Sequence, residues 1–285
     1  MGSHSRGSLF VVATPIGNLA DLSPRAKQVL TDADCIAAED TRHTGRFLSR
    51  SGVRAELISL HEHNEAERIA MLIARLESGA DVALVSDAGT PLISDPGYRL
   101  LAALREAGIR ASPVPGPCAA IAALSVAGLP TDRFAFEGFL PSRRAARRAR
   151  LEALATDSRT LVCYEAGRRL QGSLEDMAAA FGPARPATVA RELTKLHETI
   201  YHGVLGELAA SAAQDADMQR GELVIVAGGC ETGDMPDYAG VTEMLKVLLS
   251  ELPLAQAVKL ATRLTGARRN VVYRAAVELG KWGHS

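Results

Sequence analysis

Residues 86–97 combine, in one short stretch, the residue types that line ligand-binding loops. Their order is Ser-Asp-Ala-Gly-Thr-Pro-Leu-Ile-Ser-Asp-Pro-Gly. Glycine lets a ligand approach the backbone closely, and proline stiffens a loop and removes N–H donors. The apolar run at residues 81–85 is typical of a buried strand. Open α/β sheets bind ligands at the carboxyl ends of such strands, so we expect a binding loop here; a long structural turn is the alternative.

Four other polar or Pro/Gly-rich segments each follow an apolar run that predicts a strand. These segments are residues 14–19, 39–44, 61–64 and 115–117. Loops at the carboxyl ends of parallel strands lie along one edge of a sheet. We therefore expect these segments to share one cleft with residues 86–97.

The composition of these loops suits a ligand that is held by backbone groups beside an apolar slot for a ring. The dinucleotide fingerprint GxGxxG does not follow any strand, and the phosphate loop GxxxxGK[ST] does not occur. A nucleoside-like cofactor without phosphates is the expected ligand. His61 and His63 stand two positions apart, and no zinc-type spacing surrounds them, which favours a structural or substrate-binding role.

Residues 39–44 form a dense polar cluster that we place before a helix at residues 45–51. Glu39, Asp40 and Arg42 bring two carboxylates and a guanidinium to the same rim. One interpretation is an ion-paired helix start. The other is substrate positioning, or acid–base assistance to a hydroxyl nucleophile.

Two groups of basic residues carry the charge needed to bind phosphates. The first follows phenylalanines 134, 136 and 139, has only Glu152 as an acidic neighbour, and consists of Arg143, Arg144, Arg147, Arg148 and Arg150. The second lies in the tail and consists of Lys259, Arg263, Arg268 and Arg269. A solvated helix face is the ordinary interpretation of such a run, and contact with an RNA backbone is the functional one. Arg42 is a further candidate for RNA contact.

Charge and cysteine usage limit the function classes. The net charge of the 285-residue chain is −1, so any nucleic-acid binding depends on a local patch. The four cysteines lie far apart without a CxxC pair, which predicts a reducing compartment rather than disulfides. No apolar run reaches the roughly 18 residues of a membrane span. We expect a cytoplasmic protein that binds neither metal nor membrane.

Strands and helices alternate through about residue 130, which predicts a largely parallel α/β sheet with helices on both faces. A junction at residues 129–131 precedes a second alternation that begins with a strand at residues 160–164. Residues 241–281 show helix–turn–helix periodicity. The predicted organisation is an α/β domain at 9–130, a second α/β domain at 131–232 and a small helical module at 238–283.

Five motifs, in this order along the chain, are similar to those of a known family. They are Thr14-Pro-Ile-Gly-Asn-Leu19, Glu39-Asp-Thr-Arg42, His61-Glu-His-Asn64, the loop at residues 86–97, and Val114-Pro-Gly116. Together they resemble the tetrapyrrole methylase superfamily and, within it, the bacterial small-subunit (16S) ribosomal RNA cytidine 2′-O-methyltransferases. The resemblance covers residues 9 to about 230 and extends into the tail. The loop at residues 86–97 is its most specific motif.

The resemblance implies two α/β domains of the tetrapyrrole methylase type, S-adenosylmethionine as cofactor, and a homodimer. It also implies methyl transfer to the ribose 2′-hydroxyl of a cytidine in the decoding region, with 16S ribosomal RNA or the small ribosomal subunit as partner. The positions that match the family's cofactor contacts are Ile16, Gly17, Ala88, Gly89, Thr90, Ile93, Cys118, Ala119, Glu165 and Leu193.

For that reaction we predict that a base accepts the proton of the hydroxyl, with Asp40 and His63 as candidates. The tetrapyrrole enzymes open with a Gly-x-Gly-Pro-Gly-Asp type of loop and carry Gly-Asp-Pro in the later one. This chain has Thr-Pro-Ile-Gly-Asn and Asp-Ala-Gly-Thr-Pro instead. We therefore expect this chain to share the fold and the cofactor of the tetrapyrrole enzymes but not their porphyrin-like substrate. A methyltransferase acting on a small tetrapyrrole and a non-catalytic RNA-binding assembly factor are the alternatives.

Overall fold

The computed structural model describes residues 6–61, 64–95, 97–230, 238–265, 272–273, 275–277 and 279. The chain divides into two compact units. The first comprises residues 1–155 and 159–228 and contains two β-sheets. The second comprises residues 156–158 and 229–285.

The first sheet is wholly parallel, as the sequence predicts. Its strands are β1 (Leu9–Val12), β2 (Cys35–Ala38), β3 (Glu56–Ser59), β4 (Val82–Val85) and β5 (Ala111–Val114), in the spatial order β3-β2-β4-β1-β5. All residues of β2 and β4 are buried, because helices cover both faces of the sheet. Successive side chains of β2 point to opposite faces of the sheet, and both faces are packed. Cys35 and Ala37 join one apolar cluster, whereas Ile36 and Ala38 join another.

The helices of the first sheet connect consecutive strands. They are α1 (Pro24–Asp32), α2 (Thr41–Ser51), α3 (Glu65–Glu77), α4 (Tyr98–Glu106) and α5 (Ala119–Val126). Ser23 caps α1 by accepting a hydrogen bond from the Ala26 N–H, with proline at the first helical position.

Helix α2 begins four residues earlier than the predicted start at Gly45. The Asp40 side chain accepts hydrogen bonds from the backbone N–H groups of Arg42 and His43 and so caps the helix at Thr41. Aspartate is a preferred N-cap residue, and this signal was present in the sequence. The polar cluster at residues 39–44 is thus largely the first turn of a helix.

The second sheet is mixed. Its strands are β6 (Phe134–Phe139), β7 (Thr160–Ala166), β8 (Pro186–Arg191), β9 (Thr199–Val204) and β10 (Glu222–Ala227), in the order β6-β7-β10-β8-β9. Only the β6–β7 pair is parallel among these ladders. Helices α6 (Arg144–Leu154), α7 (Leu170–Phe181) and α8 (Leu205–Gln214) pack on one face. The other face, through Val162 and Val224, packs against Ala123 of α5.

The second unit contains α9 (Tyr238–Glu251) and α10 (Leu254–Thr265), in agreement with the predicted helical tail. Val241 and Leu245 of α9 share an apolar cluster with Val258 and Ala261 of α10 and with Val272. Within the ranges that the structure describes, no helix is long and apolar enough to cross a bilayer.

Candidate active site

Three of the loops that follow strands of the first sheet are joined by hydrogen bonds. The Thr14 N–H donates to the Gly89 carbonyl at 2.8 Å, and the Gly89 N–H donates back to Thr14 at 3.1 Å. The Thr90 hydroxyl donates to the Pro117 carbonyl at 2.9 Å. Gly89 has φ +84°, and a Cβ on it would lie 3.3 Å from Cγ2 of Ile16. The ends of β1, β4 and β5 therefore form one connected wall, as predicted for three of the five segments, whereas none of residues 39–44 lines the cleft.

A fourth loop, residues 192–198 after β8, faces this wall from the second sheet. The Asn18 N–H donates to the Thr194 hydroxyl at 3.1 Å. A Cβ on Gly17 would lie 2.4 Å from Cγ of Lys195 and 3.0 Å from the Leu193 carbonyl. Glycine at position 17 is thus required by the close approach of the two loops.

Unusual backbone conformations are concentrated in the same two loops. Among the described residues, the non-glycine positions with positive φ are Leu92 (72°), Ser94 (71°), Glu192 (50°) and Thr194 (63°). Such conformations cost free energy and persist only where surrounding contacts impose them, and they cluster at binding sites. Residues 86–97 and 192–198 each contain two of these four positions.

The loops enclose a cleft of about 390 Å³, within the range of small-molecule sites. Eight of the ten positions predicted to contact the cofactor lie on its wall: Ile16, Ala88, Gly89, Thr90, Ile93, Ala119, Glu165 and Leu193. Gly17 is not on the wall and instead lies beneath Lys195. Cys118 is the N-cap of α5 and packs beside the wall. The fold therefore brings the predicted set together, and the contacts themselves stay a prediction.

Several other residues of the cleft are not among the predicted contacts. They include Asp87, Ser94, Asp95, Phe139, Tyr164, Glu192, Lys195 and Glu222. Three of these lie in the loop at residues 86–97, and Phe139 is one of the three phenylalanines noted before the arginine run, so their polar or aromatic character was a usable signal. Glu192, Lys195 and Glu222 come from the second sheet, where only the pairing of distant strands brings them to the cleft.

The pKa values of two carboxyl groups at the rim, those of Asp40 and Asp95, are shifted in opposite directions. Hydrogen bonds from the N–H groups of His43 and Arg42 lower the pKa of Asp40. Burial raises the pKa of Asp95, and the nearby charge of Asp87 acts in the same direction, while a hydrogen bond with Ser86 opposes both. The Asp40 N–H donates to the Asp87 carboxylate at 3.2 Å, which links the predicted candidate to the cleft. Of the Asp40 and Asp95 carboxylates, that of Asp95 is therefore the better suited to accept a proton.

Two polar side chains of β7 support the cleft. Glu165 is fully buried and accepts hydrogen bonds from the Ser173 hydroxyl at 2.5 Å and the Ala166 N–H at 2.9 Å, with Arg169 as its ion-pair partner. The Tyr164 hydroxyl accepts from the Ala120 N–H at 3.3 Å, and burial raises the pKa of this phenol. Both groups hold the wall in place, and Tyr164 stays neutral at physiological pH.

Comparison with known proteins assigns the family. Residues 8–209 match the family described as Tetrapyrrole (Corrin/Porphyrin) Methylases, and residues 236–280 match the RsmI C-terminal HTH domain. The chain belongs to the tetrapyrrole methylase family. The methylase fold that the sequence motifs predict is thereby confirmed.

Curated relatives of this methylase align with it over nearly its whole length. It is 50% identical to Ribosomal RNA small subunit methyltransferase I of Escherichia coli O157:H7, with 96% of each chain covered. It is 51% identical to the protein of that name from Pseudomonas aeruginosa, with 96% of this chain and 98% of the relative covered. Among solved structures, a uroporphyrin-III-C-methyltransferase of Thermus thermophilus is 26% identical with a TM-score of 0.56, covering 78% of this chain and 94% of its own.

Arg147 of the methylase requires a correction to the predicted RNA-contact set. Its side chain is only 8% exposed, and its Nε and Nη2 donate to the Asp176 carboxylate at 2.9 and 2.7 Å. Burial alone would raise the pKa of Asp176, but the hydrogen bonds from Arg147 and Arg144 outweigh it and lower that pKa. Arg147 therefore stabilises the packing of α6 on α7 and is not available to a phosphate.

The other arginines of this run remain on the surface. Arg143 and Arg148 are exposed, and Arg144 is two-thirds exposed although its Nε reaches Asp176. Arg150 pairs with Glu137 at 2.5 Å. The run therefore contains one buried arginine, Arg147, and exposed arginines that can contact an anionic partner.

The other residues predicted to bind RNA or to act in catalysis either do not lie on the wall of the cleft or fall outside the described residues. The Arg42 side chain is 90% exposed at the start of α2, beside Asp40. Lys259 and Arg263 lie one turn apart on α10 and are both exposed. His63, Arg268 and Arg269 lie outside the described residues. In the described part of the methylase, no group of three or more histidine, cysteine or acidic side chains is placed to hold a metal ion.

Proposed function

We propose that this methylase transfers a methyl group from S-adenosylmethionine to a cytidine ribose 2′-hydroxyl in the decoding region of small-subunit ribosomal RNA. The observation that carries the proposal is identity of about 50%, nearly end to end, to relatives named Ribosomal RNA small subunit methyltransferase I. The nucleotide and the ribose position come from the motif resemblance.

The chemistry of the cleft fits this cofactor. Apolar side chains such as Ile16, Ala119 and Leu193 offer a slot for a purine ring. The carboxylate of Asp87 suits ribose hydroxyls or a positively charged sulfonium or ammonium group. Lys195 is engaged by Glu192 at 2.8 Å and Glu222 at 2.9 Å, and so the wall presents no unpaired lysine to a phosphate. When bound, S-adenosylmethionine supplies an activated methyl group.

The chain's own part in the reaction is to position the substrate and to accept a proton. Asp95 lies in the cleft, and its carboxylate holds a proton more readily than that of an ordinary aspartate. Asp40 is occupied as a helix cap. We therefore propose Asp95 as the acceptor of the hydroxyl proton, with Asp40 orienting Asp87 through the hydrogen bond between them. His63 remains a candidate from the sequence.

We also propose that the exposed basic residues hold the RNA backbone and that the protein acts as a cytoplasmic homodimer. Arg143, Arg144 and Arg148 support the first point, because cations on one helix suit successive phosphates. Leu196 (93% exposed) and Tyr98 (78% exposed) support the second, since a partner subunit could cover such apolar surface. Light scattering on the purified protein tests the homodimer directly.

The decisive experiment is methyl transfer from labelled S-adenosylmethionine to small ribosomal subunits that lack their own modification. Nuclease mapping of the label then identifies the nucleotide and distinguishes base from ribose. Label on a decoding-region cytidine ribose supports the whole proposal. Binding of the cofactor without label on subunits or on free 16S RNA overturns it, and transfer to a tetrapyrrole would then support the alternative.

A further inference from the structure

Phe139 is an exposed aromatic residue on the wall of the cleft. It ends β6, and its side chain is 58% exposed although it is large and apolar. Its ring centroid lies 5.5 Å from that of Tyr164, with an interplanar angle of 64°. Tyr164 is in turn fixed by Phe136, at 4.9 Å, and by the Ala120 N–H. The Phe139 ring therefore packs against a tyrosine that is itself fixed, and it still presents surface to solvent.

A β-bulge turns Phe139 toward the cleft. The β6–β7 register runs Phe136↔Val162 and then Gly138↔Cys163, so Glu137 is an extra residue and Phe139 pairs with Tyr164. In a regular strand without a bulge, Phe139 would lie three positions after Phe136 and so on the opposite face of the sheet, where α6 packs. Bulges often redirect side chains beside active sites.

The bulge also brings β6 against the strained loop at residues 86–97. Gly138 has φ +64°, and a Cβ on it would lie 3.2 Å from the Ser94 hydroxyl. Glu137, the extra residue, pairs with Arg150, which removes a negative charge from this end of the strand. Phe139 thus ends the strand beside a loop of the cleft wall, and the arginines that begin α6 follow it in the chain.

An exposed aromatic ring at the cleft, followed in the chain by arginines, suits the base and phosphate of one nucleotide. RNA bases that have left the helix stack on aromatic side chains, while cations hold the neighbouring phosphates. Phe139 offers the aromatic surface, and exposed Arg143 and Arg144 follow it by four and five residues.

We propose that Phe139 is the stacking platform for the base of the nucleotide whose ribose receives the methyl group. The inference rests on the proposed function, because it assumes an RNA substrate. It adds a binding subsite for an unstacked nucleobase at the mouth of the cofactor cleft.

The test compares full-length variants of two phenylalanines on the same strand. Phe139→Ala and Phe139→Leu remove the aromatic face, and Phe139→Trp retains one. Phe134→Ala is the matched control, since Phe134 is 39% exposed on β6 and does not line the cleft. Methyl transfer to small subunits is measured under single turnover, and binding of S-adenosylhomocysteine is measured by calorimetry. Circular dichroism verifies that each variant is folded.

We expect the single-turnover rate at subsaturating concentrations of small subunits to fall roughly 5- to 150-fold in Phe139→Ala and Phe139→Leu, the range for loss of one stacked base. Phe139→Trp and Phe134→Ala should stay close to wild type, and affinity for S-adenosylhomocysteine should be unchanged throughout. Equal rates for Phe139→Leu and wild type overturn the inference. A parallel loss of S-adenosylhomocysteine affinity also overturns it, because the ring would then contact the cofactor. Failure of the wild-type protein to methylate subunits overturns the proposed function first.

Discussion

At the residue scale, Asp95 connects the stability of the fold with the chemistry of the cleft. Its raised pKa means that the folded protein binds this proton more readily than the unfolded chain does. The contribution of Asp95 to stability is therefore greatest below the ordinary aspartate pKa and is lost as the pH rises through the raised value. At neutral pH the ionised carboxylate destabilises the fold, as is common for groups kept for function.

We accordingly predict that Asp95→Asn raises the thermal midpoint at neutral pH and lowers the methyl-transfer rate. In the wild type, the rate should fall as the pH drops through the raised pKa, because the protonated acid cannot accept the hydroxyl proton. Differential scanning fluorimetry and single-turnover pH profiles measure the two effects. A variant that retains the wild-type rate and pH profile would exclude Asp95 as the proton acceptor.

Gly17 gives a second prediction at this scale. A methyl group there would collide with Lys195 and with the Leu193 carbonyl, so Gly17→Ala should push apart the two loops that flank the cleft. We expect affinity for S-adenosylhomocysteine to fall at least about tenfold, corresponding to about 1.4 kcal/mol. The control is Gly45→Ala on α2, where the new methyl meets only Leu57 at 3.5 Å and alanine favours the helix. Equal affinities for the two variants would contradict the role of Gly17.

At the element scale, neighbouring arginines of helix α6 have different environments, one buried against α7 and one exposed to solvent. Arg147 faces α7 and shares the buried carboxylate of Asp176 with Arg144, whereas Arg148, the next residue, is exposed. Removal of Arg147 would leave the buried Asp176 carboxylate with only the solvent-exposed Arg144 as a partner, which costs more free energy than loss of a surface charge.

We predict that Arg147→Ala lowers the free energy of unfolding by about 3 kcal/mol, while Arg148→Ala changes it by less than about 0.5 kcal/mol. Because the pKa of Asp176 is lowered, the pair stabilises the fold above the ordinary aspartate pKa, and this stabilisation is lost as the pH falls through the lowered value. Urea unfolding at neutral and acidic pH measures both effects. Arg148→Ala should instead weaken RNA binding, and the reverse assignment of the two phenotypes would refute this division.

At the scale of the whole molecule, a chain with a net charge of −1 must rely on local surfaces to bind RNA. In the C-terminal unit, Lys259 and Arg263 form such a surface on α10. Each phosphate contact contributes about 0.7–0.9 to the salt dependence of binding.

We predict that Lys259→Gln combined with Arg263→Gln weakens binding to small subunits and lowers the slope of log K against log salt by about 1.5. The control is Lys246→Gln on α9, whose side chain is already paired with Glu243 at 2.6 Å. Filter binding between low and moderate salt gives the slopes. An unchanged slope in the double variant would remove α10 from the RNA interface.

The sequence by itself determined the parallel first sheet, the helical tail, the family and most of the predicted cleft wall. These depend on local signals: apolar runs, the Ser23–Pro24 helix start, and loop motifs that follow strands. The tertiary structure decided the antiparallel ladders of the second sheet, where β9 and α8 were not predicted. It also decided the burial of Arg147 and the orientation of Phe139. Each of these depends on which distant residue lies opposite, and residue type and spacing along the chain do not specify that partner.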